Sequence, residues 1–189
     1  MVVGLGNPGA EFAGTRHNLG AEVVANLAVR HGDGSLRAEK GMPDLLAAAD
    51  VCGQRVVLAI PTTYMNDSGA AVRPLLRRFG VVDTWRLIVV HDELDLPPGA
   101  LRVKAGGGTA GHRGLESIRA HLHTLDFLRV RVGIGKPPGH QSGADYVLHR
   151  PSRAERAEID LGIALAADAV ETIIDHGTDA AMNRFHATS

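Results

Sequence analysis

The sequence is poor in cysteine and in aromatic rings. Its single cysteine, Cys52, excludes an intrachain disulfide and suits a reducing compartment. Cys52 sits in Val51-Cys52-Gly53-Gln54, which reads as a hairpin turn and not as a reactive site. Aromatic residues make up 4% of the chain, so alanine, valine and leucine must fill the core. No apolar run reaches the roughly 18 residues of a membrane span. The start, Met1-Val2-Val3-Gly4-Leu5-Gly6, lacks the basic stretch and apolar segment of a secretory signal. We therefore expect a cytoplasmic chain with no membrane partner. There is no His-Glu-x-x-His and no cysteine pair. His121 and His123 are expected on different faces of one helix, a poor metal pair. Neither a metal nor a cofactor is expected.

What is present suffices for one domain. Hydrophobic residues form 44% of 189, enough for a substantial core and too many for a disordered chain. Val2 to Leu5 reads as a buried strand entering the turn Gly6-Asn7-Pro8-Gly9. A helix carrying Leu19, Val23, Val24 and Leu27 follows. Leu45–Val51 and Arg55–Ile60 read as paired strands, with Pro61 ending the second. The next helix carries Val72, Leu75, Leu76 and Phe79, stopped by Gly80. Leu87–Val90 is a central strand that delivers His91 and Asp92 at its end, and Leu101–Lys104 is another strand. A helix with Leu115, Ile118 and Leu122 precedes a strand over Phe127–Ile134 with one basic and one apolar face. Ser152-Arg153-Ala154-Glu155 matches a capping box that opens a long helix ended by Gly177. Strands alternate with helices, so the fold class is α/β: a single domain spanning 1–189, with a twisted, mixed, mostly parallel sheet flanked by helices.

The net charge of −1 argues against a general polyanion binder, but its distribution is uneven. From Gly99 to Lys136 seven basic residues face two acids, whereas from Pro137 onward four arginines face eight acids. A basic segment beside an acidic one can mark a polyanion surface, although solvated charge on strands and a helix gives the same pattern.

Gly4-Leu5-Gly6-Asn7-Pro8-Gly9 is a poor dinucleotide fingerprint, because Pro8 and a further stretch separate the glycines from the helix. Gly106-Gly107-Gly108 lacks the lysine of a phosphate-binding loop. His17 follows the first strand's loop, and Asp92 ends a central strand. In open α/β sheets ligands collect outside the carboxyl ends of the strands, so both belong on one rim. An aspartate accepting a hydrogen bond from one imidazole nitrogen fixes the tautomer and raises the basicity of the other. Asn7 and Asn66 are further candidates for that rim. Asn66, Asp67 or Ser68 could equally serve only to cap the next helix.

Several segments stand in order along the chain: Val3 to Gly9, Thr15 to Gly20, Pro61 to Gly69, His91 to Gly99, Gly106 to Leu115, Arg131 to Pro137, and Ala181 to His186. Together they resemble the bacterial peptidyl-tRNA hydrolase family. The resemblance implies that His17 is the general base that activates water and that Asp92 orients it. It implies that Asn66 positions substrate, and that Asn7 senses the acylated amino group. Phe12 and Tyr64 would line the pocket. Lys104, Arg129 and Arg131 would meet acceptor-stem phosphates. The implied partner is tRNA carrying a peptide or an N-acyl-amino acid, met by a monomer. Arg113 stands where the family usually has asparagine, and its guanidinium has no acceptor. That departure raises an alternative, a weakly or non-catalytic RNA-binding member.

Overall fold

The computed structural model describes residues 1–186. Its strands are β1 (Val2–Gly4), β2 (Arg37–Ala38), β3 (Asp44–Val51), β4 (Gln54–Pro61), β5 (Ile88–Glu93), β6 (Leu101–Ala105) and β7 (Leu128–Gly133). Its α-helices are α1 (Leu19–His31), α2 (Ser68–Arg78), α3 (Arg113–Leu122), α4 (Gly143–Val147), α5 (Arg153–His176) and α6 (Thr178–His186). The strands form one mixed sheet in the order β2-β3-β4-β1-β5-β7-β6. β4, β1, β5 and β7 run parallel at its centre. The antiparallel pairings lie at the two flanks.

The apolar pattern explains this layout. A central parallel strand is covered on both faces and reads as a continuous apolar run. Ile88, Val89 and Val90 of β5 are such a run, and all of β5 is buried. Val2, Ile88 and Val90 face one core with α1, α5 and α6. Val3, Leu87 and Val89 face a second core with α2 and α3. The β3–β4 hairpin turns on Cys52 and Gly53, at φ 52° and 75°, as a two-residue turn with both residues left-handed. Cys52 is exposed there. Ser152 and Glu155 form the reciprocal capping box at the start of α5.

Some elements depart from expectation. β2, α4 and α6 carry too few residues in a clear period to be read from sequence. His123 is not helical: it closes α3 in the left-handed conformation at φ 59°, so it shares no helix with His121. α2 passes through Pro74. Among the described residues no helix is long and apolar enough to cross a membrane.

One close approach fixes the site. A Cβ on Gly4 would stand 2.2 Å from the carbonyl oxygen of Gly20. Only glycine lets the start of α1 lie this near the sheet centre. The segment just before α1 carries His17.

Candidate active site

His17 lies in a single 3-10 turn, Arg16–Asn18, that leads into α1. Asp92 is the next-to-last residue of β5. The two were read as neighbours on one rim, and the structure brings them into contact. His17 Nδ1 lies 2.9 Å from Asp92 Oδ1 and 3.0 Å from Oδ2. Asp92 is 3% exposed and His17 7%. Burial opposes ionisation of the Asp92 carboxyl, but His17 and His112 outweigh it and hold the group well below the usual carboxylate range. An ionised carboxylate only accepts hydrogen bonds. The proton of neutral His17 therefore sits on Nδ1, and Nε2 keeps its lone pair.

His112 is the residue that sequence reasoning passed over. Its Nε2 lies 3.0 Å from Asp92 Oδ1, so two imidazoles share one carboxylate oxygen. His112 is also the N-cap of α3, its Nδ1 accepting from Leu115 N–H at 3.4 Å. Its signal was the glycine-rich stretch before it, which ends at a helix start. His91 packs edge-on to His112, with ring centroids 4.8 Å apart. Its Nδ1 donates to the Asp92 carbonyl at 2.7 Å. Burial, aided by nearby His112, holds its pKa far below the ordinary value, so His91 is neutral.

His17, Asp92 and His112 open onto a pocket of about 460 Å³. Asn7, Phe12, Tyr64, Asn66 and Arg113 all line it with His17 and Asp92. Phe12 and Tyr64 meet edge to face, with centroids 6.3 Å apart. Leu94, Ala144, Val147 and Leu148 form an apolar wall. Asn7 Oδ1 accepts from Met65 N–H at 2.8 Å, which leaves the amide NH₂ as its donor end. Asn18 holds the Asn7 backbone from both sides, accepting from its N–H and donating to its carbonyl. Asn66 is exposed. The capping alternative for this segment fails: Asp67 occupies the N-cap of α2 without a side-chain bond, and Ser68 Oγ donates to the Met65 carbonyl. Arg113 is exposed at the first position of α3.

The basic face of β7 needs a correction. Arg129 was expected to meet phosphates, yet it is 2% exposed. Its guanidinium donates to the carbonyls of Gly106, Gly107 and Gly108. Alternation along a strand gives the face of a side chain but not what covers that face, and here the glycine-rich loop covers it. Arg131 keeps partial exposure and pairs with Glu93 at 2.7 Å. Lys104 is half-buried on β6, directly across from Arg129.

Arg16 was also unassigned. It is 5% exposed, grips both Glu155 oxygens at 3.0 Å and lies 4.0 Å over the Tyr146 ring. It also donates to the His149 and Arg150 carbonyls. The residue before His17 is thus locked to the start of α5 and to the segment after α4. Its partners lie at least 130 positions away, beyond any local pattern.

The family model described as peptidyl-tRNA hydrolase matches residues 1–189. A peptidyl-tRNA hydrolase of Cutibacterium acnes is 50% identical over 196 residues, covering 99% of this chain and 98% of that protein. One from Nocardia farcinica is 51% identical, covering 98% and 95%. The crystal structure of peptidyl-tRNA hydrolase from Acinetobacter baumannii superposes with a TM-score of 0.91 at 36% identity, covering 98% of this chain and 93% of that one. The mixed seven-stranded sheet and its flanking helices are therefore a fold already seen in that enzyme, and this chain belongs to the peptidyl-tRNA hydrolase family.

Proposed function

We propose that the chain hydrolyses the ester between tRNA and a peptide or N-acyl-amino acid, with His17 as general base. The observation that carries this is the bond from His17 Nδ1 to Asp92 at 2.9 Å. It leaves His17 Nε2 to take a proton from water. The hydroxide attacks the ester carbonyl, and the oxyanion forms in the pocket. The same proton then passes from His17 to the departing ribose oxygen. General base catalysis of this kind contributes about 10²–10⁴-fold to rate.

Asn66 serves as substrate positioner and amide donor to the oxyanion. Asn7 reads the acyl group. Its Oδ1 is occupied by Met65, so its NH₂ donates to the acyl carbonyl, an acceptor that a free α-ammonium lacks. Phe12 and Tyr64 flank the terminal nucleoside. Lys104 and Arg131 meet phosphates, so affinity falls with salt. Arg113 contacts the ribose or a phosphate from the pocket rim. We read the enzyme as a cytoplasmic monomer.

The alternative of an RNA-binding member without hydrolysis draws no support from this geometry. Arg113 stands on the rim, and the His17–Asp92 pair is complete. The test is hydrolysis of N-acetyl-aminoacyl-tRNA beside the uncapped ester. Rapid release from the capped ester alone is expected. Equal rates on both would remove the role given to Asn7, and no release from either would remove the function.

A further inference from the structure

Three ligand-type atoms converge in this site. Asp92 Oδ1 lies 2.9 Å from His17 Nδ1 and 3.0 Å from His112 Nε2. The two nitrogens and the carboxylate oxygen all lie within 4.8 Å of one another. All three residues line the pocket, which gives an ion a way in. The hydrolytic scheme uses His17 and Asp92 and assigns His112 no step. Two imidazoles and one carboxylate are a donor set that zinc-class dications bind, with a position left open for water. Bonds of about 2.0–2.2 Å to each atom require the rings to move by roughly an ångström or less.

We propose that His17, Asp92 and His112 form a Zn²⁺ site, and that the ion switches hydrolysis off by reversing the tautomer of His17. The proposal rests on the reading of His17 Nε2 as the base. A neutral imidazole carries one ring proton. With Asp92 as acceptor, that proton sits on Nδ1 and Nε2 is free. Zn²⁺ takes the lone pair of Nδ1, so the proton must reside on Nε2. The nitrogen that should accept a proton from water is then a donor. At His112 the ring proton moves from Nε2 to Nδ1, which costs the 3.4 Å bond from Leu115 N–H. The ion sits on the side of His17 away from the attacking water. It therefore lowers kcat and spares KM. Mg²⁺ prefers oxygen ligands and does not compete for this set.

The test uses the whole protein, freed of chelator, at constant Mg²⁺. Calorimetric titration with Zn²⁺ is expected to show one-to-one binding that is lost in His112→Ala. Nitrogen–proton correlation spectra are expected to move the His17 proton from Nδ1 to Nε2. Hydrolysis of N-acetyl-aminoacyl-tRNA is expected to lose at least tenfold in kcat at a small molar excess of Zn²⁺, with EDTA restoring it. His112→Ala, compared with its own zinc-free rate, is expected to lose at least tenfold in zinc sensitivity. A thermal melt shows whether that variant is folded. If it is not, the wild-type spectra alone decide. Absence of binding, or of a change at His17, would overturn the site. A reversed tautomer with undiminished turnover would overturn the switch and with it the base assignment, leaving the zinc site standing.

Discussion

Gly20, at the second position of α1, lies against Val90 of β5 so closely that a Cβ on it would stand 2.2 Å from the Val90 carbonyl oxygen. Gly20 is three residues after His17, and Val90 is two before Asp92. The contact sets the distance between the elements that carry His17 and Asp92. Gly20→Ala must push α1 off the sheet. Overpacking of this kind costs about 1–3 kcal/mol. We expect urea unfolding to show that loss, and turnover to fall further than stability alone explains. A variant with wild-type turnover would mean that the pair tolerates movement of α1.

Arg129 and Arg131 alternate on one strand and should part ways in assay. Arg129 holds the Gly106–Gly108 carbonyls, and that loop leads to His112 and Arg113. Arg129→Met is expected to lower kcat and thermal stability together. Arg131→Ala and Lys104→Ala are expected to raise KM for tRNA and to flatten its dependence on salt, by about one counterion per lost phosphate contact. Steady-state kinetics at several salt concentrations separate the two outcomes. A rise in KM alone for Arg129→Met would return that residue to the tRNA surface.

Asp44 opens β3 at 1% exposure, with neither carboxylate oxygen hydrogen-bonded. Burial pushes its pKa up from 3.8 to about 6. Its folded pKa is raised, so the folded state binds the proton more tightly than the unfolded chain. The Asp44 contribution to stability is therefore fullest below 3.8 and is lost as pH rises to about 6. Two pKa units correspond to on the order of 3 kcal/mol. Asp44→Asn removes this titration. Thermal melts across that range are expected to show the wild type losing stability relative to the variant. A constant difference between them would contradict the burial argument.

Much of this was legible because the relevant signals are local. The runs Val2–Val3 and Ile88–Val90, the Cys52–Gly53 turn and the Ser152–Glu155 capping box each declare their structure within a few residues. His17 and Asp92 were placed on one rim because each follows the carboxyl end of a strand, and the structure puts them in contact. What stayed hidden depends on distant partners. His112 becomes part of the site only because its loop folds onto Asp92. Arg129 reads as surface until the glycine loop covers it. Arg16 meets Glu155 across 139 positions, and neither side announces the other.

The proposed base is His17, whose Nε2 would take a proton from the attacking water. The measurement is single-turnover hydrolysis of N-acetyl-aminoacyl-tRNA by wild type and by His17→Ala, with circular dichroism showing both folded. A loss of about 10²–10⁴-fold in the rate of the chemical step is expected, with tRNA affinity nearly unchanged. Cleavage by a folded His17→Ala protein at the wild-type rate would contradict it.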